Sequence, residues 1–219
     1  MISKDLLNKA TEQDFLALSK HFGIAIDTIG LDPIRRYADI EVFFLASTYS
    51  LHSSRIAEGY LCWMLRYGHF LSPSKIRRLV RAGVPHDSSV LGGMLLFLIQ
   101  NNIHKKQWQI LKPFVHKSRI SRSLLDGPKP KNPEPSFLKY NIIVHNYALK
   151  QEKFLLPSSS TFKNSMELKN RALFGSSVHA DIASYLKWNP EATPYQVAKN
   201  TGNHKARIFE IFRDVKLAL

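Results

Sequence analysis

A chain of 219 residues with 44% hydrophobic content can bury one large core or two small ones, which excludes wholesale disorder. Lysine and arginine number 31 against 17 aspartates and glutamates, a formal net charge of +14, so the surface attracts polyanions, nucleic acid first among them. The single cysteine, Cys62, rules out an intramolecular disulfide and a thiolate zinc cluster, and the longest apolar run, 90–99, is about half of the roughly 20 residues a membrane span needs. Residues 1–8 carry charges where a secretory segment needs apolar residues. The expectation is a cytoplasmic protein without a membrane span, its cysteine buried in a core.

The first half reads as helix. Leu6, Leu7, Ala10, Phe15, Leu18 and Phe22 form an amphipathic start, punctuated by Gly23 and Gly30. Asp32-Pro33 is placed to cap and open the next helix, along which Ile34, Tyr37, Ala38, Val42, Leu45 and Ala46 recur at helical spacing. A helix over 54–67 carries Ile56, Tyr60, Leu61, Met64 and Leu65 on one face, and Gly68 can end it. Ser72-Pro73 starts a short helix over 74–82, closed by Gly83. Asp87-Ser88-Ser89 caps the apolar helix that runs to about 101, in which Gly92 and Gly93 permit close packing. Trp108, Leu111 and Val115 are in register on a further helix over 105–115. Together these predict a helical domain over 1–116. On the 74–82 helix, Lys75, Arg77, Arg78 and Arg81 read either as a phosphate-contacting patch or as a solvated face, with Ile76, Leu79 and Val80 turned the other way.

Composition changes over 117–136. Lys117, Arg119, Arg122, Lys129 and Lys131 mingle with Pro128, Pro130, Pro133 and Pro135, which remove donors and restrict their neighbours. An extended linker or surface loop is expected. Residues 137–149 fit a helix through Tyr140, Ile143, Val144 and Tyr147, or a strand through Ile142-Ile143-Val144; helix is preferred. Pro157-Ser158-Ser159-Ser160 makes a second break, followed by a helix over 161–174 closed by Gly175. This divides the chain into a basic, proline-rich linker with an ambiguous segment, 117–160, and a C-terminal domain, 161–219.

The C-terminal pattern is more specific. Val178, Ile182, Tyr185 and Leu186 make an apolar stripe ending near Trp188-Asn189-Pro190. Thr193 then stands as N-cap with Pro194 at the first helical position. Val197 and the small Ala198 face inward, and Gly202 suits a turn that needs positive φ. A last helix, about 204–216, buries Ile208, Ile211, Phe212 and Val215 and presents Asn203, His204, Lys205, Ala206 and Arg207 at its start.

Val197-Ala198-Lys199-Asn200-Thr201-Gly202, with Ile208 six positions later, resembles the helix-turn-helix core of winged-helix transcriptional regulators. Leu173-Phe174-Gly175-Ser176-Ser177-Val178-His179-Ala180-Asp181-Ile182 resembles the entry to their first helix, as in ArsR- and MarR-like proteins. The resemblance covers about the last fifty residues. It implies a tri-helical unit with helix 204–216 in the major groove, Lys205, Ala206 and Arg207 on base edges, and Asn203 and His204 capping that helix and contacting phosphate. Thr193, Tyr195 and Gln196 would hold the backbone. The position after the turn glycine, apolar in these families, is Asn203, and a β-hairpin wing is not evident before Leu219.

Other chemistry finds little support. None of the nine histidines forms a metal-ligand pattern, and there is no Gly-rich phosphate loop or nucleophile elbow. Glu167-Leu168-Lys169 matches only the tail of a nuclease motif, in a helical setting where a strand is required. No catalytic residue, metal or cofactor is expected. The expectation is therefore a mainly α protein that regulates transcription by binding double-stranded DNA as a homodimer. Its N-terminal helical domain would serve oligomerisation or sensing. The alternatives are an antitoxin-like or adaptor module that masks an acidic partner, and a nucleic-acid-processing enzyme.

Overall fold

The computed structural model describes residues 12–26, 34, 36–51, 54–124, 129–147 and 149–219, and these are mainly helical. The start of the first amphipathic segment and the expected cap at Asp32-Pro33 lie outside them. Helix α1 (Glu12–His21) precedes α2 (Ile40–Ser50), which opens on Asp39: its carboxylate accepts from the N–H groups of Glu41 and Val42. Tyr37 and Ala38 therefore precede the helix that their spacing suggested they would join. α3 (Ser54–Tyr67) tightens into a 3-10 turn, Gly68–Phe70. α4 (Pro73–Arg81) and α5 (Ser88–Gln100) start at the expected caps, Ser72 and Asp87. Gln107–Phe114 winds as 3-10 rather than α-helix, with Pro113 inside it.

These elements enclose an aromatic core. The Phe43 ring lies 4.8 Å from Phe22, 5.5 Å from Phe15, 5.4 Å from Trp63 and 5.7 Å from Tyr60, centroid to centroid. The Trp63 indole donates to the Phe22 carbonyl at 3.0 Å, so its polar edge is satisfied inside the core. Cys62 is buried there, and burial pushes its thiol up to about 11, as befits an inert core cysteine.

The segment expected to be a linker belongs to this core. α6 (Pro135–Leu138) packs on α5, and β2 (Ile142–Ile143) pairs in parallel with β1 (Arg122–Ser123), Arg122 opposite Ile142. Ile142 and Ile143 thus form a strand, against the preferred helix. Phe137, Ile142, Val144, Phe154 and Leu155 are buried with the N-terminal helices. Gly92 and Gly93 make this possible, because a Cβ on either would run into the ring of Tyr140 or Phe137. Arg122, expected in an extended linker or surface loop, pairs with the α5 cap Asp87.

α7 (Gln151–Phe154) leads to α8 (Ser158–Asn164) and α9 (Met166–Phe174). The single helix expected over 161–174 is thus two, broken at Ser165, whose hydroxyl accepts from the Leu168 N–H to cap α9. Leu168 belongs to the first core cluster, and the second cluster begins at Ile182, beyond Gly175, where φ is 68°.

Beyond it, α10 (Val178–Trp188), α11 (Pro194–Thr201) and α12 (Lys205–Ala218) close on a second, smaller core. Ile182, Leu186, Val197, Ala198, Ile208, Ile211 and Phe212 fill it. Thr193 and Gln196 form a reciprocal capping box at the start of α11. Gly202 ends α11 in the left-handed region, φ 66°, which lets α12 turn back across it. Among the described residues no helix is long and apolar enough to cross a membrane.

Candidate nucleic-acid interface

Two helix starts lie side by side on the outer surface of the smaller unit. Thr193, Tyr195 and Gln196 are exposed at the start of α11, and His204, Lys205, Ala206 and Arg207 at the start of α12. The Lys205 ammonium sits 4.6 Å above the Tyr195 ring, a cation–π contact that joins the two groups. Arg207 pairs at 2.7 Å with Glu210, one turn on; both are exposed, so the pair is worth little and leaves the guanidinium available. His204 occupies the N-cap position of α12 without a side-chain capping bond, so the expected histidine cap does not form. The first N–H groups of α12 thus have no side-chain cap.

Asn203 does not share this surface. It is 7% exposed, and its amide donates to Asp181 at 2.6 Å and to the Thr201 hydroxyl at 3.1 Å. Its oxygen accepts from Arg78 at 2.9 Å. A polar side chain at a position expected to be apolar is satisfied on every side, and it pins the turn to α4 instead of reaching phosphate.

The basic patch on α4 comes apart in the same way. Lys75 is 1% exposed, and its ammonium contacts Asp39 at 2.8 Å, Asp181 at 2.9 Å and Glu41 at 3.1 Å. Arg78 turns to Asn203 and, at 3.4 Å, to the Gly202 carbonyl. Arg77 is half-buried, and exposed Arg81 lies over the Phe114 ring. These four do not form one phosphate-contacting face. Lys75 stands one turn before Leu79 and beside Ile76, on the buried side of the helix, and that spacing was the available signal.

Beneath the surface, these contacts belong to a buried charge network that joins the two cores. Arg171 of α9 donates to Asp181 at 2.6 Å, to Glu41 at 3.0 Å and to the Phe70 carbonyl at 3.0 Å. Two cations thus face three carboxylates. Glu41 and Asp181 touch both cations, whereas Asp39 touches Lys75 alone. Burial pushes Asp39 up to about 6 despite Lys75, and the neighbouring Glu41 and Asp181 add to the rise. Burial would also raise Asp181, but Arg171 and Lys75 overcome it and hold that carboxyl below its usual range. Burial would lower Lys75, but Asp181, Asp39 and Glu41 raise it above the ordinary lysine range. The lone charges Asp39, Glu41, Arg171 and Asp181 attracted no notice in the sequence. Their spacing offered one hint: Glu41 precedes Leu45 by one turn, and Asp181 adjoins Ile182 within an apolar stripe.

Glu167, weighed as a nuclease remnant, is a structural acceptor. It is buried, takes the Ala38 N–H at 2.9 Å and the Ser165 hydroxyl at 3.2 Å, and meets His21 at 2.9 Å. Among the described residues no group of three or more His, Cys, Asp or Glu side chains is arranged to hold a metal ion. Comparison of the chain with family models, with characterised proteins and with solved structures finds no match.

Proposed function

We propose that the chain is a sequence-specific DNA-binding regulator whose α10–α12 unit is a helix-turn-helix, with the start of α12 entering the major groove of double-stranded DNA. One observation carries this reading. Two helices joined by a left-handed glycine share a core that includes the small Ala198, and their starts expose Tyr195, Gln196, His204, Lys205 and Arg207. These are the side chains that read base edges and hold phosphates. A net charge of +14 supplies the sequence-independent attraction. On this reading the protein works in the cytoplasm as a homodimer, since one such unit covers little DNA and pairing multiplies affinity. The helical N-terminal part would serve dimerisation or sensing.

A second reading has its own observation. The outward face of α12 also exposes Phe209, at 58%, and Leu217, at 77%, which suits a protein partner better than a groove. The unit would then belong to an adaptor or antitoxin-like module.

Titration of duplex DNA across a salt series separates the two. Under the DNA reading, Arg207→Ala relaxes preference at one base position by about 1–3 kcal/mol. Unchanged affinity and unchanged preference would remove α12 from the groove. Co-purification of an acidic protein, with no binding to duplex, would favour the second reading.

A further inference from the structure

A cleft of about 360 Å³ opens where the starts of α4 and α10 meet the turn before α12. Its wall carries serine hydroxyls from two helix starts, Ser74 and Ser177 among them, together with Arg78, His179 and Arg207. Asp181 also lines it, but that carboxylate is already covered by Lys75, Arg171 and Asn203. Both of its oxygens already have donors.

Arg78 is in the opposite position. Its partners are the Gly202 carbonyl and the Asn203 oxygen, both neutral, and among the described residues no carboxylate lies within ion-pair distance of its guanidinium. A half-buried guanidinium whose direct partners are neutral keeps N–H groups for an anionic occupant of the cleft. Arg207, which also lines the cleft, pairs with an exposed glutamate, Glu210. The Ser177 hydroxyl oxygen accepts from the Ala180 N–H at 3.4 Å, which leaves its own proton to donate. Two guanidiniums and the lining serines suit a tetrahedral oxyanion, which needs many donors and opposite charge. The volume lies near the lower end of the range for small-molecule sites.

We propose that this cleft binds a phosphate group, with Arg78 and Arg207 as its charged donors and the serine hydroxyls completing the shell. The group would belong to a small phosphorylated molecule; the backbone of a nucleic acid offers the same chemistry. The site does not depend on the DNA reading above. Arg78 belongs to the larger core and Arg207 and His179 to the smaller unit, so an occupant ties the two together.

Phosphorus NMR and calorimetric titration of the full chain with inorganic phosphate and glycerol phosphate, against chloride at equal ionic strength, test this. Saturable binding is expected. Arg78→Gln should weaken it at least about tenfold, the worth of one charge-assisted hydrogen bond. Arg207→Ala should weaken it with the unliganded melting temperature unchanged, and it decides alone if Arg78→Gln fails to fold. Absence of free-phosphate binding, together with a fall of about 1 in the salt slope of duplex binding for Arg78→Gln, would assign the site to a nucleic-acid phosphate. Binding that survives both substitutions, or neither free-phosphate binding nor a change of slope, would overturn the proposal. The free-phosphate arm does not involve duplex, so it succeeds or fails independently of the wild-type duplex titration.

Discussion

Phe43 of the larger core is surrounded by four aromatic rings, whereas the smaller core gathers one ring, Phe212, with Ile182, Leu186, Val197 and Ile208 from three helices. Apolar burial grows with size, and a unit of about forty residues sits at the margin of independent folding. The smaller unit also sends its polar groups inward toward the larger one. Asp181 meets Lys75 and Arg171, Asn203 meets Arg78, and Tyr185 meets the Tyr37 ring. An apolar contact tolerates sliding, but a buried network in which each carboxylate oxygen has a donor does not. The larger core is held by area, and the smaller one is held in place by direction. A buried network of this kind is a weak source of net stability and a strong source of geometry.

Three substitutions break or sharpen that contrast. The largest effect is expected from Lys75→Met, which leaves three carboxylates facing one guanidinium. Removing one partner from a buried pair costs about 3–5 kcal/mol. Denaturant unfolding should show that loss, and proteolysis should reveal whether the smaller unit comes away first. A loss under about 1 kcal/mol would mean that water reaches the network and that the junction is not dry.

Next, Ile208→Ala should cost about 2–5 kcal/mol, as expected for a truncated core side chain. If the two cores are distinct, amide exchange quickens over 178–218 while α2, α3 and α5 keep their protection. Equal loss in both regions would make them a single cooperative unit.

The smallest effect lies in the shape of a pH curve. Asp39 titrates near 6 when folded and at its ordinary 3.8 when unfolded. Between those values the folded chain holds the extra proton, so this group's contribution to stability falls as pH rises from about 4 to about 6. Asp181 acts in the opposite sense, its contribution being lost as pH falls through its depressed value. Subtracting the stability curve of Asp39→Asn from that of the wild type should leave a difference that declines across this window. A flat difference would show that Asp39 stays ionised throughout.

The helix starts were legible because capping is local. Ser72, Asp87 and Thr193 each satisfy an N–H two or three residues away, and the turn at Gly202 follows from one glycine between two apolar stripes. The exposed residues of α11 and α12 were legible for the same reason. What escaped notice was decided at long range. Residues 117–160 look like a linker while their prolines are counted, yet the rings of Phe137 and Tyr140 lie on α5 at Gly93 and Gly92, more than forty residues earlier. The inward turn of Lys75 and Asn203 was hidden in the same way, since a buried charge makes sense only beside its partners. Those partners, Asp39, Glu41, Arg171 and Asp181, are spread across more than a hundred residues.

The bonds from Glu167 to His21 and to the Ala38 amide span 146 and 129 residues. A nascent chain therefore carries the aromatic helices well before it carries the side chain that fastens α1 and the start of α2. Closing such distant contacts is entropically slow, so completion of the larger core falls late in folding. A growing chain that halts short of residue 167 still has Phe43 and Trp63 to hold Phe15 and Phe22, but it leaves His21 and the Ala38 amide without their buried acceptor.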